Sequence, residues 1–214
     1  TIKILELARN FKIKKFIFSS TSAVYENNLQ NIFQEKFQTD PDLIYSMTKK
    51  NCETILKSYS KNYGIPITIL RFFNSYGPRM DNRRISPPLI SYIIKEISKN
   101  KIPILHSSGN QKRDYIYIDD IISLIMKIIK KNKKNNFEVL NVSSKKTISV
   151  KLIYNIISSQ LNFNKKPKYK VPTKFWFKYD NLNKGYFIFN KNRVKKKVNK
   201  YSLGDNSLVL KKYN

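Results

Sequence analysis

Glycine is scarce in this chain: five in 214 residues. They stand at positions 64, 77, 109, 185 and 204, and no two lie close enough to form the glycine-rich turn that cradles a dinucleotide pyrophosphate. The single cysteine, Cys52, excludes an internal disulfide framework and any multi-cysteine metal site. The single histidine, His106, argues against a histidine-based metal centre, and no metal is expected. No apolar run approaches the roughly 18 residues of a membrane-spanning helix, so no membrane span is expected. The opening Thr1-Ile2-Lys3-Ile4-Leu5-Glu6 lacks Met and the charged and apolar regions of a secretion signal. A soluble, cytoplasmic, globular protein is expected. Acidic residues are also few, 14 against 42 Lys and Arg, for a net charge of +28.

Apolar residues make up 41% of the chain and aromatics 13%, enough to build a core and too many for a disordered basic tail. The positive excess is nearly all lysine and comes with Asn and Ile along the whole length, as a composition bias would. Two local basic runs, Lys127–Lys134 and Arg193–Lys197, read as solvated surface. Arginine forks and interleaved aromatics are missing from both, so nucleic acid is not an expected partner. The first run suits a helix end, where cations meet the negative end of the dipole.

The apolar spacing predicts a helix over residues 1–11 and a buried strand over 15–19. Asp40 and Pro41 are the expected N-cap and first residue of a second helix, with Ile44, Thr48, Cys52, Ile55, Leu56 and Tyr59 on its apolar face and Gly64 closing it. Cys52 is then inert core. A buried strand follows over 65–71. Further on come a helix over 87–100, a strand over 102–105, a helix over 119–131, a strand over 139–142 and a helix over 150–161. Beyond residue 162 the pattern is irregular. This alternation argues for an α/β fold with a parallel sheet.

Tyr45 and Lys49 stand at i and i+4, on one face of the second helix. A cation beside a phenol favours the phenolate, so such a pair can exchange a proton with a sugar hydroxyl. In a lysine-rich chain this spacing is weak evidence alone. It gains weight from Phe18-Ser19-Ser20-Thr21-Ser22-Ala23-Val24-Tyr25 ahead of it. Behind it come Arg71-Phe72-Phe73-Asn74-Ser75-Tyr76-Gly77-Pro78-Arg79 and then residues 109–120, from Gly109 through Arg113-Asp114-Tyr115 to Asp120.

In this order and spacing, over residues 1 to about 160, the motifs resemble the extended short-chain dehydrogenase/reductase family, the NAD-dependent nucleotide-sugar epimerases and dehydratases. The resemblance implies the C-terminal part of a doubly wound, Rossmann-type parallel sheet with a smaller, interleaved substrate-binding subdomain. Residues 1–150 would form the partial epimerase/dehydratase domain, and 151–214 a substrate-side subdomain and basic tail. It further implies roles. Thr21 would hydrogen-bond the reacting sugar hydroxyl, Tyr45 would be the general base, and Lys49 its partner and holder of the nicotinamide ribose. Phe73 would lie beside the nicotinamide. Asn74 and Arg113 would contact the nucleotide diphosphate, Leu89 the uracil pocket, and His106 either the nucleobase or nothing but its own strand end. NAD is the implied cofactor, a nucleotide sugar the substrate, and a homodimer the state of the full-length protein.

Within that family, dehydratases carry an Asp-Glu pair directly after the threonine, and decarboxylases a Glu two positions beyond it. Here those positions are Ser22 and Ala23. Reversible oxidation at one sugar carbon remains, as in a UDP-hexose 4-epimerase working through a 4-keto intermediate. The alternatives are a dehydratase or decarboxylase of the same family, or a non-catalytic remnant unable to bind NAD. The chain lacks the family's glycine-rich phosphate loop, so it is expected to be a fragment that is inactive by itself. Arg193 is the one candidate for a second diphosphate contact.

Overall fold

The computed structural model describes residues 1–28, 30, 32–84, 87–106, 108–131, 137–170 and 201–213. Three parallel strands form the central sheet, in the order β1 (Phe16–Thr21), β3 (Ile67–Phe72), β7 (Phe137–Val142). Side chains alternate across it, as the two-residue period of a strand requires. Ile67, Ile69, Phe16, Phe18, Phe137 and Val139 face one way, onto α1 (Ile2–Asn10) and α2 (Ile44–Tyr63) through Leu5, Leu56 and Tyr59. Leu70, Phe72, Ile17, Leu140 and Val142 face the other way, onto α4 (Ile118–Lys130) and α6 (Ser207–Tyr213) through Ile121, Leu124, Ile128 and Tyr213. Helices on both faces of a parallel sheet make the chain an α/β, Rossmann-type fold.

β3 is buried almost throughout, whereas β1 is only half-buried. The expectation of a buried strand over 15–19 is met in part: Phe16 and Phe18 pack on one face and Ile17 on the other, but the burial of β1 is incomplete. Among the described residues it is an edge strand, paired with β3 alone.

A second sheet runs β2 (Ile32–Phe33), β10 (Tyr201–Gly204), β6 (Lys112–Tyr117), β4 (Asn74–Tyr76), with β8 (Thr147–Ser149) antiparallel on β6. β5 (Ile104–His106) pairs with β9 (Lys168–Lys170). Beside them α3 (Leu89–Ser98) and α5 (Val150–Gln160) bury Ile93, Ile97, Leu105, Ile153 and Tyr154 in a separate cluster. No helix among the described residues is long and apolar enough to cross a membrane.

The helices expected over 1–11, 119–131 and 150–161 and the strand expected over 139–142 stand within two residues of those limits. Gly64 closes α2 in the left-handed region at φ 66°, where the absence of a side chain removes the strain. The start of α2 differs from the expectation. Its N-cap is Leu43, which makes no side-chain cap bond, and Asp40 and Pro41 lie outside the helix. The reason is a carboxylate from elsewhere in the chain, described below. Ile44, assigned to the apolar face, is 82% exposed, and the buried positions are Ser46, Glu53, Leu56 and Ser60. Cys52 is half-buried, with its sulfur 3.2 Å from the Thr1 hydroxyl.

Candidate active site

Register brings the first group of candidates to one edge of the sheet. Thr21 pairs with Phe72, and Phe72 with Val142, so β1, β3 and β7 end at the same level. Carboxyl ends of parallel strands are where open α/β sheets bind ligands. Thr21 is the last residue of β1, and its hydroxyl accepts the N–H of Ala23 at 3.2 Å, capping a 3₁₀ turn over Ser22–Tyr25. Phe73 and Asn74 follow directly on β3.

Tyr45 and Lys49 lie on the first two turns of α2, which packs against β1 and the 3₁₀ turn. Tyr45 is half-exposed. The Lys49 ammonium donates to the Ser19 carbonyl at 2.7 Å and stands 5.0 Å from the centre of the Phe18 ring. The lysine is thereby fastened to β1 two residues before Thr21.

Beneath this edge lies a buried polar network. Arg71 and Glu53, each 5% exposed, pair through Nη2–Oε2 at 2.6 Å and Nε–Oε1 at 3.0 Å. Ser20 donates to Glu53 at 2.5 Å. Arg71 also donates to the Tyr25 hydroxyl at 2.7 Å, which donates in turn to Asn141 at 2.8 Å. Burial, opposed by Arg71, pushes the Tyr25 phenol up to about 12, so it stays a neutral donor. The Asn141 amide donates to the Phe33 carbonyl, and its main-chain N–H to Glu35, each at 2.8 Å. Sequence reasoning assigned none of these residues a role.

A second group of candidates lines a cavity of about 440 Å³, within the range of small-molecule sites. Phe73, Asn74 and Leu89 line it, together with Gly77, Arg79, Arg84 and Tyr115. The Asn74 amide donates to the Asp114 carbonyl at 2.8 Å, tying β4 to β6. Burial raises the Tyr115 phenol to about 12, so this hydroxyl too is protonated. Arg79 adopts a left-handed φ of 64°, sterically costly for a residue other than glycine.

Arg113 and His106 do not line this cavity. Arg113 is buried on β6, on the same face of the strand as Tyr115, and donates to the Lys112 carbonyl at 2.7 Å. His106 ends β5, and its carbonyl accepts the Gln111 amide at 2.9 Å. Arg193 lies outside the described residues. Among the described residues no cluster of His, Cys, Asp and Glu could hold a metal.

A Rossmann-type parallel sheet, with Thr21 at a strand end and the Tyr45–Lys49 pair on the helix beside it, defines an α/β protein of the doubly wound class. The chain belongs to the NAD dependent epimerase/dehydratase family, whose model matches residues 1–143. It is 32% identical over 173 residues to a UDP-glucuronate 4-epimerase of Thermodesulfobacterium geofontis, covering 79% of this chain and 50% of that protein. It is 32% identical over 168 residues to a dTDP-D-glucose 4,6-dehydratase of Dictyostelium discoideum, covering 70% and 38%. Among solved structures, the UDP-N-acetylglucosamine 4-epimerase of Methanobrevibacter ruminantium, in complex with UDP-N-acetylmuramic acid, superposes with a TM-score of 0.81. That match has 28% identity and covers 98% of this chain and 60% of that one. The UDP-glucuronic acid 4-epimerase of Bacillus cereus, in complex with NAD, gives 0.77 at 26% identity, covering 98% and 59%. The chain thus spans about half the length of the curated relatives it matches.

Proposed function

We propose that these residues are the substrate-side part of an NAD-dependent nucleotide-sugar epimerase acting on a UDP-hexose at C4. The observation that carries this reading is the fastening of Lys49 to the Ser19 carbonyl. It sets the Tyr45–Lys49 face of α2 against the strand end that bears Thr21.

Thr21 offers a hydroxyl to the sugar C4–OH and Tyr45 takes its proton, while the Lys49 ammonium steadies the phenolate and the nicotinamide ribose. NAD, when bound, would supply the reversible hydride chemistry at C4. The Tyr45–Lys49 end fits that cofactor chemically, with Phe73 as the apolar neighbour of the nicotinamide. A cradle for its pyrophosphate is not among these five glycines. The 4-keto sugar must turn over while its nucleotide stays anchored. Asn74 and Leu89, with Arg79 and Arg84 as cationic lining, hold the diphosphate and base in this reading. Arg113 and His106, which lie outside the cavity lining, would have to turn toward the ligand to join them.

The second reading, a dehydratase, is favoured by the Dictyostelium relative. It needs carboxylates after Thr21, where Ser22 and Ala23 stand. The nearest one on this segment, Glu26, is 4% exposed and already accepts three hydrogen bonds. In this reading residues 151–170 belong to the substrate-side subdomain, while α6 packs on the central sheet and residues 171–200 lie outside the described residues. The exposed Ile4, Leu7 and Phe11 of α1 and its C-terminal end are an apolar face suited to homodimer formation.

The test is a protein completed with a family N-terminal half. Tyr45→Phe lowers turnover by ~10² or more with nucleotide affinity unchanged, because a proton-transfer group is lost and no binding contact. Arg113→Ala does the reverse and raises the nucleotide-sugar KM. Accumulation of a 4-keto-6-deoxy sugar, or CO2 from UDP-glucuronate, would replace epimerisation by elimination or decarboxylation. The 214 residues alone are inactive in this reading.

A further inference from the structure

Besides the Lys49–Ser19 bond, the segment carrying Thr21 is bonded to α2 at two further places. One is the Ser20–Glu53 bond of the buried network. The other is Glu26, which follows the 3₁₀ turn. Its Oε2 accepts the N–H of Asp42 at 3.1 Å, the N–H of Leu43 at 3.0 Å and the hydroxyl of Ser46 at 2.6 Å. A helix start leaves main-chain donors unpaired, and a carboxylate there is also favoured by the dipole. Leu43 has no polar side chain to serve as a cap, so Glu26 supplies one from 17 residues upstream. Its Oε1 has no hydrogen-bond partner among the described residues, so the whole fastening runs through one oxygen. Tyr45 stands between Leu43 and Ser46. Displacing the first turn of α2 from the Thr21 segment therefore means breaking three bonds to a buried carboxylate.

We propose that Glu26 is a positioning residue, whose carboxylate sets the start of α2, and with it Tyr45 and Lys49, against the strand end that carries Thr21. Its functional meaning rests on the reading of Thr21, Tyr45 and Lys49 given above; its geometry does not. Truncation leaves the buried N–H of Leu43 and the part-buried N–H of Asp42 without this acceptor, and the Ser46 hydroxyl with only its longer bond to the Leu43 carbonyl. The helix start then shifts or frays until water reaches them.

The test reads Lys49 by NMR in the 214-residue chain with no ligand added. The Lys49 ammonium stands 5.0 Å from the centre of the Phe18 ring, so the resonance of the adjoining ε-methylene should carry a ring-current displacement. Glu26→Ala removes at least about half of that displacement and speeds exchange of the Leu43 amide about tenfold or more, the scale of one lost buried hydrogen bond. Glu26→Gln, which keeps an acceptor oxygen at the helix start, restores most of both. Ile97→Ala, in the separate α3–α5 cluster, lowers the melting temperature and leaves both signals in place. If Glu26→Ala does not fold, Ser46→Ala shifts the Lys49 resonance in the same direction by a smaller amount. An unmoved Lys49 resonance in Glu26→Ala, an equal shift in Ile97→Ala, or no recovery in Glu26→Gln overturns the proposal. If Tyr45→Phe leaves turnover of the completed enzyme intact while Glu26→Ala moves Lys49, the reaction assignment fails and the positioning stands.

Discussion

A β-carbon on Gly77 would lie 2.4 Å from Cγ2 of Ile118 and 3.0 Å from its Cβ. Both residues line the cavity, so the close approach of β4 to the start of α4 shapes the floor of that site. Gly77→Ala is expected to cost about 1–3 kcal/mol of stability, as overpacking does, measured by urea unfolding. The same variant should weaken ligand binding in the completed protein, because Asn74 and Arg79 sit on the displaced segment. Gly77 was legible in the sequence as part of a motif, and so were Thr21, Tyr45, Lys49, Phe73 and Asn74. Each is recognisable from neighbours a few residues away. Glu26, Glu53 and Asn141 were not, because their partners lie far along the chain. Glu26 meets Leu43 across 17 positions, and Tyr25 meets Asn141 across 116.

At the scale of elements, buried charge decides what the sequence hid. The strand β6 contains Arg113 and Asp114, both buried, the latter fully. Asp114 accepts bonds from Ser144, Lys145 and Gly204 and thereby clamps β7, β8 and β10 together, and burial raises its pKa despite them. A hydropathy pattern reads such residues as surface, so β6 was recognised only as a motif and β4 and β8 were not read as strands.

The Arg71–Glu53 pair joins α2 to β3 in the same hidden way. Arg71→Met leaves Glu53 buried without its counter-charge and is expected to cost about 3–5 kcal/mol in urea unfolding. Adding Glu53→Leu should return much of that loss, since the unpaired carboxylate is then gone.

Glu138 gives the corresponding pH dependence. Burial pushes its carboxyl up, but bonds from Tyr213, Lys212 and Thr68 outweigh this and hold it below the ordinary 4.5. A lowered acid stabilises the fold fully above its unfolded value and loses that contribution as pH falls through the folded one. Acid should therefore loosen α6 from the sheet below about pH 4.5. Glu138→Gln should flatten that limb of a pH–melting curve, and an unchanged limb would show that other carboxylates govern it.

For the molecule as a whole, the charge of +28 is the dominant long-range term. Exposed lysines are spread over many elements: Lys57 and Lys61 on α2, Lys127 and Lys130 on α4, Lys151 on α5, Lys168 and Lys170 on β9. Those of α4 fall in its last turn, where cations oppose the helix dipole, and Lys15 adds its ammonium to the Ile128 and Lys131 carbonyls there. The reading of that run as a helix end thus holds for residues 127–131, while residues 132–134 and the run at 193–197 lie outside the described residues. Carboxylates near enough to compensate are few and largely committed, as Glu6 is to Arg9 and Glu138 to Lys212. Like charges so distributed repel one another over about 10 Å at 0.1 M salt and about 30 Å at 0.01 M. The folded chain, being compact, suffers this repulsion more than the unfolded one. Raising sodium chloride from about 0.01 M to about 0.5 M should therefore raise the melting temperature by several degrees, most of it gained by about 0.15 M. A patch built for nucleic acid would behave differently. It would retain duplex DNA with a steep log–log salt dependence persisting beyond physiological salt. A diffuse lysine surface should release DNA by about 0.15 M, so retention above that would locate a true polyanion site and overturn the reading of the charge as solvated surface.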